Sequence, residues 1–513
     1  MRDFAPEFKY FIKTDRRLRY LLEAIWAYRQ TWATPVLTIS AVVLGIAFGL
    51  LATKLSLYIG VLALGSLIVF LVAFRKPELV LLLMLTMTST FYDIRSLGHF
   101  FGFALDAFAL IFLLGLIVAR VVTNKAKLVR TPLDWPIFLF VVAATISNIN
   151  ALYYLETVYL FRNSIWRQLM IYLIFFAVTN LVKTRRQLMT VVGGMMVMAT
   201  IVAAFMVAQQ AVGTTVSIIP NQVRVGVATG VGQQAISGVA RISSVPGVGL
   251  VYVMLLPALI LLATPEYLRG RKWLAFIPAI LLPLAIAFTF TRGLWIGAIG
   301  GGIIFVFVSR FKSKRFIGLI IGLVIAAISL IHLLNVYFPR IDTVVAGLSD
   351  RFSLLLDASE DTANDSSAQA RIEENKVAIP KIEEYPILGL GPGADYRPPR
   401  KINDGGTNYI HNGYFFILLN MGLVGFIPFL WFSIAHLMIG LFSWHRLQDP
   451  ILKALVIGFT LSYLAVLINN TSSPRVMEPI FIIVLGLIMG INQVAIRLGT
   501  QSPPSNQTSN VTV

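Results

Sequence analysis

The chain of 513 residues has no cysteine, which excludes disulfide frameworks and thiol chemistry. It is also poor in charge. Asp, Glu, Lys and Arg make up 13% of it, against about 25% in an ordinary soluble domain. Acidic residues are the scarcer sign, 24 against 42 Lys and Arg, for a net charge of +18. The histidines His99, His332, His411, His436 and His445 are scattered. No pair has metal-ligand spacing, so no metal site is expected. "DASEDTANDSS" lacks the spacing of a calcium loop and reads as solvated. "GLGPG" at 389–393 lacks the strand–turn–helix setting of a dinucleotide site, so no cofactor is predicted. The alternating pattern of an outer-membrane barrel is missing. The charged N-terminal stretch has no small-residue cleavage site, and no removable signal peptide is expected.

What the chain has in abundance is apolar sequence, 57% hydrophobic. Runs of about 17–25 apolar residues are long enough to cross a bilayer as helices. Without water in the bilayer core each backbone must satisfy itself, which selects helices. The fold class is therefore all-α, a polytopic membrane protein of about 12–14 helices. Spans are read at 35–52, 55–74, 77–91, 100–119, 134–153, 165–182, 188–212, 247–264, 273–290, 294–309, 316–335, 410–442, 451–470 and 477–496. The run 410–442 is too long for one upright crossing and must tilt or continue past the bilayer.

Lysine and arginine crowd into "RKPE", "RVVTNKAKLVR", "KTRRQ", "RGRKW", "SRFKSKRF" and "SWHRLQDPILK". The positive-inside rule then puts both termini in the cytoplasm. Five segments follow. Residues 1–34 form a basic cytoplasmic segment, 35–335 helices with short outer loops, and 336–408 a long extracytoplasmic loop. Residues 409–496 form further helices, and 497–513 a disordered cytoplasmic tail. Within the long loop, "ARIEENKVAIPKIEEYP" reads as a short helix. The segment 213–246, rich in Gly, Val and Ser, either dips into the membrane or packs over a cavity.

Basic residues in the short outer loops are the exceptions to that rule. They are Lys54, Arg95, Arg162, Arg167, Arg224, Arg241, Arg292 and Arg475, all but the first arginine. A guanidinium fork matches phosphate oxygens in pairs. Each arginine taken singly has a plainer reading as a lipid-headgroup contact or a surface ion pair. Arg292 lies in a tight turn between two apolar runs, "FTFTRGLWIG", and Arg241 lies just before a span. A charge so placed is costly without a cavity or partner. His411 opens the run "HNGYFFILLNMGLVGFIPF". Histidine, with an ordinary pKa of about 6.5, can accept a proton near neutral pH. On a continuous helix His411, Phe415, Leu418, Gly422 and Gly425 would share a face, with the glycines allowing close helix packing. A structural histidine bonded to a loop carbonyl is the competing reading.

"EEYPILGLGPGADY" followed by "HNGYFFILLNMGLVGFIPFLWF" resembles the signature of the O-antigen ligase and polymerase superfamily. The matching positions are Pro386, Gly389, Gly391, His411, Asn412, Gly422 and Gly425. "TFTRGLWIG" is similar to the family's arginine-glycine turn and places Arg292. "ARISSVPGVGLVYVMLLPALILL" resembles its arginine-led segment and places Arg241, with Pro246-Gly247 where the family usually has Pro-Asn. "SSAQARIEENKVAI" resembles the loop helix that begins at an arginine, here Arg371. The resemblance covers roughly residues 220–440. It implies a bacterial inner-membrane glycosyltransferase of envelope polysaccharide or lipopolysaccharide synthesis, working without a metal. The donor would be a glycan on a polyprenyl diphosphate, and the acceptor a glycan or lipid-glycan hydroxyl. Nucleic acid has no part in it.

Joined to the misplaced charges, the resemblance gives a division of labour. His411 takes the proton of the acceptor hydroxyl and Arg292 stabilises the leaving diphosphate. Arg241, Asn412, Arg162, Arg167 and Arg371 bind substrate. With no carboxylate nucleophile in view, direct displacement with inversion is expected. The alternatives are a transporter or flippase of lipid-linked sugars and a scaffold of an export complex. A transporter would place charge near the bilayer midplane, where only Asp106 and His436 are candidates.

Overall fold

A computed structural model describes residues 76–90, 117, 128–155, 158–213, 218, 224–228, 235–242, 245–263, 273–309, 314, 316–318, 321–322, 341–356, 366–398 and 407–500. The spans read at 35–52 and 55–74 lie outside these residues, as do most of 100–119 and 316–335 and the tail beyond 500.

The remaining apolar runs form helices. They are α1 (Pro77–Thr88), α2 (Asp134–Leu155), α3 (Val158–Leu181), α4 (Arg185–Val212), α5 (Val248–Ala263), α6 (Trp273–Ala287) and α7 (Arg292–Ser309). After α8 (Ile341–Leu356) and α9 (Ser366–Glu384) come α10 (Gly413–Ser443), α11 (Pro450–Asn470) and α12 (Pro479–Thr500). Among the described residues, five stretches are long and apolar enough to cross a membrane: Arg185–Gln210, Arg292–Ser309, Gly413–Arg446, Pro450–Asn470 and Phe481–Thr500. The protein is an all-α polytopic membrane protein.

Helices α5 and α11 and the middle of α12 are buried almost all round, as expected of helices at a bundle centre. Helix α7 packs along α11, and a side chain at Gly297 or Gly301 would meet the α11 backbone at Ala465 or Leu461. Outer helices keep apolar stripes on the surface. Ile296, Ile299, Ile303 and Phe307 mark one on α7, and Leu423, Ile427, Trp431, Ile434, Met438 and Phe442 another on α10. This helical spacing of exposed large side chains suits a face turned to lipid.

At one end of the bundle α4 starts with a Thr184–Gln187 capping box. Arg185 there pairs with Asp449, 2.7 Å away, the cap of α11. Arg497 of α12 caps the end of α3 by donating to the carbonyls of Thr179 (3.0 Å) and Val182 (2.8 Å). Helix α11 carries the chain from this end to the opposite one, where α7 and α10 begin.

The structure adds two features to these expectations and corrects a third. First, 213–246 contains an antiparallel hairpin, β1 (Arg224–Ala228) with β2 (Ala235–Arg241), in which Arg224 faces Arg241. "RVGVA" and "AISGVAR" alternate β-branched with small residues, a strand pattern. Second, the long loop holds two helices: α8 precedes α9. Third, α10 is not continuous. Gly422 adopts φ +55°, ψ −157°, and two helical pieces meet there. The shared face drawn through His411, Gly422 and Gly425 therefore does not exist, and His411 precedes the helix instead of lying in its first turn.

That break has a cause. The segment Pro386–Leu390 inserts beside it and replaces the lost helical bonds. Leu390 N–H donates to Leu419 O (2.7 Å), Leu423 N–H to Pro386 O (2.9 Å), and Val424 N–H to Ile387 O (3.1 Å). Buried Ser147 of α2 donates to Asn420 O at the same level. Gly389 (φ +70°) and Gly422 lie backbone to backbone, so a side chain on either would strike main chain. Irregular backbone at membrane depth survives only when protein surrounds it. Gly422 is ten residues past Asn412, so at 1.5 Å per residue the insertion lies about 15 Å below the helix start.

Candidate functional site

Helix α10 starts at Gly413 because Asn412 caps it. The Asn412 side-chain oxygen accepts from Tyr414 N–H (3.0 Å) and Phe415 N–H (3.3 Å). Such a cap satisfies donors that have no partner in the first turn. His411 is thereby held at the helix mouth.

The sequence reading missed the residue that holds His411. Glu374 of α9 is 1% exposed. Its Oε2 accepts the backbone N–H of His411 (3.0 Å) and faces His411 Nδ1 at 2.9 Å, with Oε1 at 3.1 Å from the same nitrogen. Arg397, also buried, brings Nη2 to 3.6 Å from Oε1. Burial pushes the Glu374 carboxyl up. Hydrogen bonds from the His411 ring and backbone, with the charges of His411 and Arg397, outweigh that and hold it below its ordinary value. The edge of the Tyr409 ring packs on the imidazole, centroids 5.1 Å apart at 88°. The Tyr409 hydroxyl lies 3.1 Å from Ser473 Oγ, and burial pushes its pKa up to about 12. A third of the His411 side chain remains exposed.

An apolar cluster of Ala378, Tyr396, Ile410 and Leu419 clamps α9 onto the start of α10. Glu374, Ala378 and Ile382 share one face of α9. That face was hard to read because Ile372, Val377 and Ile379 are the exposed apolar residues while the carboxylate is buried. Arg371 is half-buried one turn before Glu374.

Arg292 is the first residue of α7 and is half-buried. The turn before it contains Phe290 at φ +50°, a left-handed conformation costing about 1–2 kcal/mol in a residue with a side chain. Phe288, Phe290 and Val344 of α8 form a buried cluster that holds the turn. Arg241 ends β2, and the next residue, Ile242, donates its N–H to Phe288 O (3.4 Å). The hairpin end with Arg241 and the turn with Arg292 are thus stitched together. The side chains of Arg162 and Arg167, on α3, lie outside the described residues.

The connector after α11 touches both turns. A side chain at Gly293 would strike Asn469 and Ser472, and one at Gly413 would strike Asn470. Ser473 contacts Tyr409 and donates to Glu478 (2.9 Å), which pairs with Arg475 at 2.5 Å. Arg475 is therefore engaged in an ion pair, the plainer of its two readings. "NNTSSPR" at 469–475 was legible as a polar turn, but nothing in the sequence said which two turns it would bridge.

Residues 277–430 match the family model described as O-antigen ligase. The matched stretch includes Arg292, Arg371, Glu374, Arg397, His411 and Asn412, and leaves out Arg241. It supports the O-antigen ligase superfamily, whose members are membrane glycosyltransferases of the ligase and polymerase type. No curated protein matches the chain.

Proposed function

We propose that this protein transfers a glycan from a polyprenyl-diphosphate carrier to an acceptor hydroxyl, in the manner of an O-antigen ligase or a polysaccharide polymerase. The family match over 277–430 carries the reading. A connector that abuts both the Arg292 turn and the His411 turn supports it. The positive-inside rule supports both termini inside and this end of the bundle facing out, and the family resemblance supports a bacterial cytoplasmic membrane.

In this reading the acceptor hydroxyl gives its proton to His411 Nε2 as its oxygen attacks the sugar's anomeric carbon. The carbon–oxygen bond to diphosphate breaks, and the electron pair leaves with the phosphate oxygen. Negative charge grows on the diphosphate in the transition state, where Arg292 and Arg241 stabilise it. Arg162, Arg167 and Arg371 supply further contacts to the donor or the acceptor. Glu374 is sealed behind His411, which favours a single displacement with inversion over a carboxylate intermediate. No step calls on a metal.

The test is glycan transfer by purified protein in nanodiscs, with EDTA present, from a polyprenyl-diphosphate glycan. Wild type runs beside His411→Ala, with donor binding and folding measured for both. Transfer that vanishes in the variant while donor binding persists supports enzyme and base together. Undiminished transfer by the variant removes the base. Movement of donor between leaflets without bond formation moves the assignment to a transporter.

A further inference from the structure

We infer that Glu374, paired on its other side with Arg397, is a positioning residue that holds His411 in the one tautomer able to act as a base. The inference rests on the reading of His411 as the proton acceptor.

The geometry makes two demands of one carboxylate. By accepting the His411 backbone N–H (3.0 Å), Glu374 fixes where the residue sits. By facing Nδ1 at 2.9 Å and 3.1 Å, it fixes how the ring is turned. An ionised carboxylate only accepts hydrogen bonds. A neutral imidazole in this position must carry its proton on Nδ1, which leaves the Nε2 lone pair for the acceptor hydroxyl. Once His411 has taken that proton, the adjacent anion stabilises the imidazolium. This is the orienting role of a carboxylate in a catalytic triad, recognised by geometry.

Burial argues the same way. Removing a carboxylate from water is costly unless charge and hydrogen bonds compensate. Glu373, Glu383 and Glu384 on the same helix lie in solvent, and Glu374 does not. Its oxygens face His411 and Arg397, two groups that both favour the charged form. The groups around the imidazole are Glu374 from α9, Arg397 from the following loop and the Tyr409 ring, with the Arg475–Glu478 pair behind Tyr409.

Glu374→Gln tests the inference. An amide nitrogen in place of one oxygen must face a donor, either the His411 N–H or Arg397. The expected result is a fall in kcat of about 10²–10⁴-fold, with the KM for the donor changed far less. Glu374→Asp, shorter but charged, recovers part of the loss. The exposed Glu384→Gln on the same helix retains the wild-type rate. In parallel, ¹⁵N-histidine NMR of the wild-type protein reports the tautomer, with the His411 signal assigned by its disappearance in His411→Ala. A neutral Nδ1–H form is expected, and this measurement stands even where Glu374→Gln fails to fold.

A wild-type kcat in Glu374→Gln, beside an inactive His411→Ala, overturns the positioning role and leaves the base. A neutral Nε2–H form in the wild type overturns it as well. Full transfer by both His411→Ala and Glu374→Gln removes the base reading and this inference with it.

Discussion

Ile242 donates its backbone N–H to the carbonyl of Phe288, and so ties the residue after Arg241 to the turn that delivers Arg292. Two arginines about fifty positions apart in sequence thereby share one corner of the bundle. Arg292→Lys keeps the charge and loses the planar fork. It is expected to cut kcat/KM for a polyprenyl-diphosphate glycan by about 10²-fold or more, with an unchanged elution profile and melting temperature. Near-normal turnover would remove the phosphate-binding role.

Asn412 serves the helix. Asn412→Ala is expected to cost about 1 kcal/mol of stability, and Asn412→Asp, which can still cap, much less. Thermal melts of the two variants in one detergent make the comparison. Equal stability of the two would deny the cap its importance. A loss of activity in Asn412→Asp at full stability would reveal a second role, toward substrate.

Gly422→Ala places a methyl against the Ile387 carbonyl in a backbone conformation that side chains disfavour. The expected cost is about 2 kcal/mol or more. Gly318→Ala has open space around the new carbon and is expected to be near neutral. Melting temperatures should separate the two sharply, and parity would mean that the inserted loop does not hold the helix break.

Glu374 makes stability depend on acid. Its carboxyl is held below the ordinary value of 4.5. Its contribution is therefore complete above that value and is lost as pH falls through the lower, folded-state pKa. Removing the carboxylate leaves buried donors unpaired, a loss of about 1–3 kcal/mol. Melts of wild type and Glu374→Gln from pH 7 to 3 should show a gap that is widest at the top and closes toward the bottom. A gap independent of pH would argue that the carboxyl is not ionised in the folded protein.

Among the described residues, the apolar helices and their approximate ends were legible in composition and run length, because twenty apolar residues have few alternatives to a spanning helix. Arg292, His411 and Asn412 were legible as well, since polar residues at the edge of apolar runs are conspicuous. Glu374 and Arg397 were not. They lie among other charges in a polar loop, and nothing local distinguishes the buried carboxylate from its exposed neighbours Glu373, Glu383 and Glu384. Burial of one charge is set by what packs over it, here the start of α10 and the Tyr396 loop.

The same division holds at Gly422. A long apolar run with two glycines is compatible with a smooth helix or a broken one. The break exists because the Pro386–Leu390 backbone arrives from another part of the chain and supplies the hydrogen bonds that the helix gives up. Bilayer insertion is a local matter, decided residue by residue through hydrophobic transfer. The pairing of His411 with Glu374, of the Arg241 corner with Arg292, and of a loop with a helix break depends on contacts between distant segments. Those are set by packing and hydrogen-bond satisfaction across the whole bundle.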